Sequence, residues 1–263
     1  MIADNRAAIG LLETFKGMIM DVTRRNMLTG AAVGTVGSLI AAGSGTSASA
    51  AETVGTGPGK TKLTAMQALA RLREGNRQFV ADVPVKMDMS RARRLALARG
   101  QGPFAALIGC ADSRVGPEQL FGAGLGELFI VRTAGNYVDL AGLGSIEYAV
   151  AVLGVPLIVV LGHERCGAVL AAVDVITKNA QFPGSIGNMV EPILPAVIQA
   201  QAALKPGEDL ADASIRANVA RVTRRLRTAS DPLLLTPIMA GTVKVVGATY
   251  ALDTGSVDFF DLG

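Results

Sequence analysis

The sequence predicts an α/β fold: a mostly parallel central β-sheet flanked by helices. Pro103-Phe-Ala-Ala-Leu-Ile-Gly-Cys110 and Pro156-Leu-Ile-Val-Val-Leu-Gly-His163 follow one pattern, a proline, an apolar run, a glycine and a soft metal-binding side chain seven residues after the proline. Apolar runs of this length, opened by Pro and closed by Gly, read as strands buried on both faces. Helical patterns lie between and after them, and strands alternating with helices build parallel sheets.

The elements follow in chain order. Residues 51–60 are Gly- and Thr-rich and read as a linker, so the folded domain is expected over 61–263. Thr64 caps a helix to about Val80, anchored by Leu69, Leu72 and Phe79. Arg91, Arg93 and Arg94 sit on a helix with Leu95 and Leu97, as a solvated or subunit-facing side. The two twin strands come next in the reading, the second followed by a helix from Cys166 to about Ile176. Ser185–Gln201 and Leu210–Thr228 both read as helices, the second carrying Arg221, Arg224, Arg225 and Arg227 on its surface. Val243–Ala251 and Ser256–Asp261 close the chain as strands, turned by Asp253-Thr-Gly255.

Residues 1–50 read as a twin-arginine export signal. Arg24-Arg25 precede a Gly- and Ala-rich apolar stretch from Leu28 to about Gly43, and Ala48-Ser49-Ala50 offers a cleavage site before Ala51. The stretch is too short and too interrupted for a membrane span. The expected location is periplasmic or secreted. Of 25 basic and 22 acidic residues in the chain, 21 and 19 lie beyond residue 50, and this near balance gives no argument for nucleic acid. The 213 residues beyond residue 50 are enough for one domain with a sizeable core.

The chemistry concentrates in few residues. The chain has one histidine and two cysteines, and all fall in Cys110-Ala-Asp112-Ser-Arg114 and His163-Glu-Arg-Cys166. Parallel strands gather ligands at their carboxyl ends, so Cys110 and His163 are expected at one sheet edge. Cys166 lies in the first turn of the following helix, where the helix N-terminus favours a thiolate. Two thiolates and an imidazole make three zinc ligands with a fourth corner open. A Cys110–Cys166 disulfide is the alternative, because exported cysteines often pair. Asp112 and Arg114 suit a bidentate ion pair, either as part of the site or as a plain surface pair.

These motifs resemble the β-class carbonic anhydrases over most of the chain beyond about Thr61. Cys110-Ala-Asp112-Ser-Arg114 looks like that family's Cys-x-Asp-x-Arg, and Gly162-His163-x-x-Cys166-Gly167 like its second zinc motif. Gly126–Asn136, Ser145–Val150 and Gly247–Gly255 match further family segments. The resemblance implies one Zn²⁺ per subunit on Cys110, His163 and Cys166, and hydration of carbon dioxide to bicarbonate. It implies that Asp112, held by Arg114, acts on the nucleophile. Gln101 would hydrogen-bond substrate from a partner subunit, Phe129 and Tyr148 would line an apolar pocket, and the Gly167 N–H would contact the bound anion. It also implies an N-terminal helical arm packing on the partner of a homodimer or higher multiple. Some family members close the site with a tryptophan three residues before the first cysteine. That position is Leu107 here and the chain has no Trp, which favours the open form. With the sole histidine committed to metal, protons would leave through water, buffer or a residue such as Tyr137 or Asp139. Hydrolysis of carbonyl sulfide or carbon disulfide, and a non-catalytic zinc or bicarbonate-binding module, are the rival readings.

Overall fold

The structure, a computed structural model, describes residues 59–263. The expected export signal, and the linker up to residue 58, lie outside the described residues.

Five strands form one sheet in the order β2-β1-β3-β4-β5. They are β1 (Ala105–Cys110), β2 (Leu128–Thr133), β3 (Leu157–His163), β4 (Lys244–Tyr250) and β5 (Val257–Asp261). The first four pair in parallel and β5 runs antiparallel on β4. Alternation sorts the central strands onto two cores. Leu107, Leu157, Val159 and Leu161 face one core with Leu69, Leu72 and Phe104. Ile108, Ile158 and Val160 face the other with Ile146, Val219, Val222 and Leu226.

Helix α1 (Ala65–Val80) begins at a capping box in which Thr64 and Gln67 satisfy each other's backbone N–H groups. Its Ala68, Leu69 and Leu72 bury against its own sheet, while Met66 and Val80 stay exposed. The short α2 (Arg91–Leu97) buries no residue, and α3 (Pro117–Leu120) follows β1. Helix α4 (Leu140–Ala151), capped by Asp139, links β2 to β3. Helix α5 (Gly167–Lys178) starts directly after the second cysteine.

The single helix expected over Ser185–Gln201 is divided. It comprises α6 (Ser185–Val190), a 3₁₀ turn (Glu191–Ile193) and α7 (Leu194–Ala203). Pro192 and Pro195 explain the division, because each lacks the N–H that a continuous helix needs. Helix α8 (Leu210–Arg227) matches its expected span, and α9 (Pro232–Met239) follows it. Arg227 is not a plain surface residue: it is half-buried and binds Asp261 and the Val245 carbonyl, fastening α8 to the last two strands.

Candidate metal centre

Strand register decides where the ligands emerge. Gly109 pairs with Leu161, so Cys110 and His163 leave neighbouring strands at nearly the same level. Cys166 is then brought back by the turn Glu164-Arg165. Arg165 has φ +51°, a left-handed conformation that reverses the chain before α5. Cys166 becomes the N-cap of that helix. The two sulfurs and a ring nitrogen all lie within 4.8 Å of one another, and all three residues are buried.

The local chemistry fits a metal. The sulfurs are 3.9 Å apart and unbonded. Two thiolates on one tetrahedral zinc, at about 2.3 Å each, stand about 3.8 Å apart. His163 Nδ1 donates to the Glu164 carbonyl at 2.8 Å, which leaves the Nε2 lone pair bare. That nitrogen is fully buried and has no partner among the described residues, a costly arrangement unless a cation takes it. The Gly135 N–H donates to Cys110 Sγ at 3.3 Å. As free thiols the two cysteines titrate together: Cys110 moves down because it accepts the Cys166 S–H, and Cys166 moves up because it gives it.

Asp112 stands beside this cluster with its Oδ2 3.8 Å from His163 Nε2. Arg114 grips both carboxylate oxygens, Nε to Oδ1 at 2.9 Å and a terminal nitrogen to Oδ2 at 2.7 Å. The Arg114 backbone N–H adds a third bond to Oδ1. The guanidinium holds the Asp112 carboxyl well below the usual carboxylate range.

The comparisons agree with this geometry. The carbonic anhydrase family model matches residues 105–257, more than half of the chain and every residue just described. The chain belongs to the β-class carbonic anhydrases. Carbonic anhydrase 2 of Mycobacterium tuberculosis is 44% identical over 185 residues, covering 70% of this chain and 87% of the relative. The Coccomyxa β-carbonic anhydrase, solved with acetazolamide, aligns with a TM-score of 0.55 at 29% identity, over 73% of this chain and 86% of that one. A Sordaria macrospora β-carbonic anhydrase, described as tetrameric, aligns with a TM-score of 0.57 at 25% identity, over 64% and 85%. Cys110, His163 and Cys166 are the Cys-His-Cys zinc set of a β-class carbonic anhydrase, and the cofactor is zinc.

Of the other residues singled out in sequence, Asp112, Arg114 and Gly167 join the cluster. Gly167 opens α5, and the space where its Cβ would stand is empty. Phe129 and Tyr148 come together, ring centroids 6.3 Å apart. Within one chain they sit away from the zinc ligands. Phe129 pairs with Ala106, four residues and about 13 Å down the strand from Cys110. Gln101 is exposed on the loop that enters β1 from the end opposite Cys110, and no contact joins it to the cysteines of its own chain among the described residues.

Several contributors lie within the matched segments, but their partners are not marked in the sequence. Arg132, the one charge in the Leu128–Thr133 strand, donates to the carbonyls of Cys110 and Asp112 at 2.9 and 2.7 Å, cradling the loop between them. Arg165 clasps Asp253 through two bonds of 3.0 and 2.7 Å, and Glu164 accepts the Leu252 N–H at 3.0 Å. The turn between the zinc ligands is thereby fastened to the turn between β4 and β5. A basic residue closing an apolar strand, as Arg132 does, is the only one of these that sequence could have flagged.

Proposed function

We propose that the protein is a zinc enzyme that reversibly hydrates carbon dioxide to bicarbonate and a proton. The observation that carries this is a bare, buried imidazole nitrogen facing two unbonded sulfurs, with an ionised carboxylate held 3.8 Å away.

Zinc at Cys110, His163 and Cys166 supplies a Lewis acid that makes water a usable nucleophile near neutral pH. Asp112 does the positioning. Its low proton affinity makes it an acceptor of a hydrogen bond rather than a store for the reaction's proton. From its place beside His163 it orients the attacking oxygen toward carbon dioxide. Arg114 keeps Asp112 at that distance by occupying both its oxygens. The N-terminus of α5, opening at Gly167, offers backbone N–H groups without intrahelical partners, a favourable place for the bicarbonate anion.

The placement of Gln101 supports a working unit of at least two chains, in which Gln101 of one subunit completes the substrate site of its neighbour. Phe129 and Tyr148 would then line that neighbour's apolar pocket, and the exposed Met66 and Val80 of α1 leave apolar surface for an arm-like contact. The twin arginines, apolar stretch and cleavage pattern of residues 1–50 support export in a folded, zinc-loaded state. Among the described residues no helix is long and apolar enough to cross a membrane.

The direct test is zinc content and carbon dioxide hydration rate on the purified protein, with Asp112→Ala as the control. One zinc per chain and a rate that collapses in the variant are expected. Absence of stoichiometric zinc, or activity independent of Asp112, would sink the reading.

A further inference from the structure

We propose that Asn218 is a positioning residue for the zinc-binding thiolate of Cys110, acting through the turn at Gly135. This rests on the zinc reading above and extends it to a helix outside the recognised motifs.

Asn218 lies on α8, 108 positions along the chain from Cys110, and is 1% exposed. Its neighbours on the same helix include Ile215, Val219 and Val222, which belong to the apolar cores. An amide in such surroundings is costly unless its hydrogen bonds are met. Asn218 Nδ2 donates to the Gly135 carbonyl at 2.8 Å.

Gly135 is the residue whose N–H points at Cys110 Sγ. It sits in a tight turn leaving β2, where Gly135 and Asn136 both have positive φ, +77° and +45°. The turn is closed by the Asn136 N–H on the Thr133 carbonyl at 3.0 Å and by Thr133 Oγ1 on the Tyr137 carbonyl at 2.6 Å. A Cβ at position 135 would stand 2.5 Å from Ile193 Cδ1, so the turn is also wedged from the far side. Gly135 takes its positive φ freely, whereas Asn136, a non-glycine residue at φ +45°, holds a less favoured conformation that surrounding contacts must support. Among the described residues, Asn218 supplies the side-chain hydrogen bond that does so. Without it the turn relaxes and its N–H swings off the sulfur. The thiolate then loses the donor that fixes its direction and spreads its charge. Hydrogen bonds to metal ligands commonly change metal affinity by about 10–100-fold.

Ser214, one helical turn earlier, is an internal control. It is equally buried, and its hydroxyl has no partner among the described residues. A change there alters a buried polar side chain of the same helix that makes no hydrogen bond to the Gly135 turn.

The experiment is zinc release from the loaded protein to a chromogenic chelator, for wild type, Asn218→Ala, Asn218→Ser and Ser214→Ala. Each is paired with the thiolate charge-transfer band of the cobalt(II)-substituted protein. Both Asn218 variants should release zinc about 10-fold faster with a shifted cobalt band, and Ser214→Ala should match wild type in both. Should Asn218→Ala fail to fold, the smaller polar Asn218→Ser decides the question. Wild-type release and an unshifted band in the folded Asn218 variants overturn the proposal, as does equal acceleration in Ser214→Ala. A wild-type protein that takes up no zinc overturns the zinc reading itself, and is seen before any variant is made.

Discussion

Arg114 occupies both oxygens of Asp112 while the Asp112 Oδ2 stands only 3.8 Å from His163 Nε2. The guanidinium is therefore what separates a carboxylate from a cation site that would attract it. Arg114→Ala should leave zinc content unchanged and lower kcat for hydration by about 100-fold or more, the scale of losing a positioned catalytic contact. Zinc analysis beside stopped-flow hydration distinguishes this from metal loss.

The pH dependence should originate at the zinc cluster. The folded pKa of Asp112 is depressed, so its stabilising contribution is complete above the unfolded value of about 3.9 and is lost only as pH falls below it. Its charge does not change between about pH 5 and pH 9. Two thiolates cancel the formal charge of zinc, so activity should rise toward alkaline pH. Asp112→Asn should lower the plateau of the pH–rate profile without moving its midpoint. A midpoint displaced by more than about half a unit would return the titration to Asp112.

Thiol counting tests the ligand set. Zinc-loaded protein should react slowly with a thiol reagent, and chelated protein should expose two thiols per chain under denaturing conditions without a reductant. No reactive thiol before reduction would mean that the sulfurs are bonded to each other, against the 3.9 Å separation.

Asn76 is a stability test away from the zinc. Its amide donates to the Gly255 carbonyl at 2.8 Å and accepts the Val257 N–H at 2.9 Å, from a site 6% exposed. Asn76→Ala orphans both backbone groups and should cost about 2 kcal/mol, or about 4–8 °C in Tm for a domain of this size. Thermal unfolding of the zinc-loaded form reads it directly.

Gln101 tests the assembly. Gln101→Ala should lower kcat/KM with zinc unchanged. Mixing it with an Asp112→Asn chain should restore activity, because a hybrid can bring an intact Gln101 to an intact Asp112. Failure of complementation in verified hybrids would place Gln101 outside the site.

Much of this architecture was legible in the residues. The twin apolar runs gave β1 and β3 within two residues, since both are buried on either face and leave no choice of period. The metal set was legible because the chain holds no other histidine or cysteine. The strand Leu128–Thr133 was not read as an element from its residues: it is the sheet edge and partly exposed throughout, without the fully buried signature of β1 and β3. Helix α9 was missed because Pro232 and Pro237 both speak against a helix, although Pro232 occupies the first turn, where no N–H is needed. Asn218 and the partners of Arg132 and Arg165 were not legible for a simpler reason. Each acts on backbone or side chains 20 or more positions away, and nothing local marks such a contact.

The order β2-β1-β3-β4-β5 puts Cys110 and His163 on adjacent strands, although 52 residues of chain, including the whole of β2 and α4, lie between them. No short fragment can assemble this centre. Pairing distant parallel strands is among the slower events in folding, and the three ligands converge only where β1 and β3 are paired. A tightly held zinc ion is therefore a report on long-range order: it is bound only where strands far apart in the chain have been laid side by side.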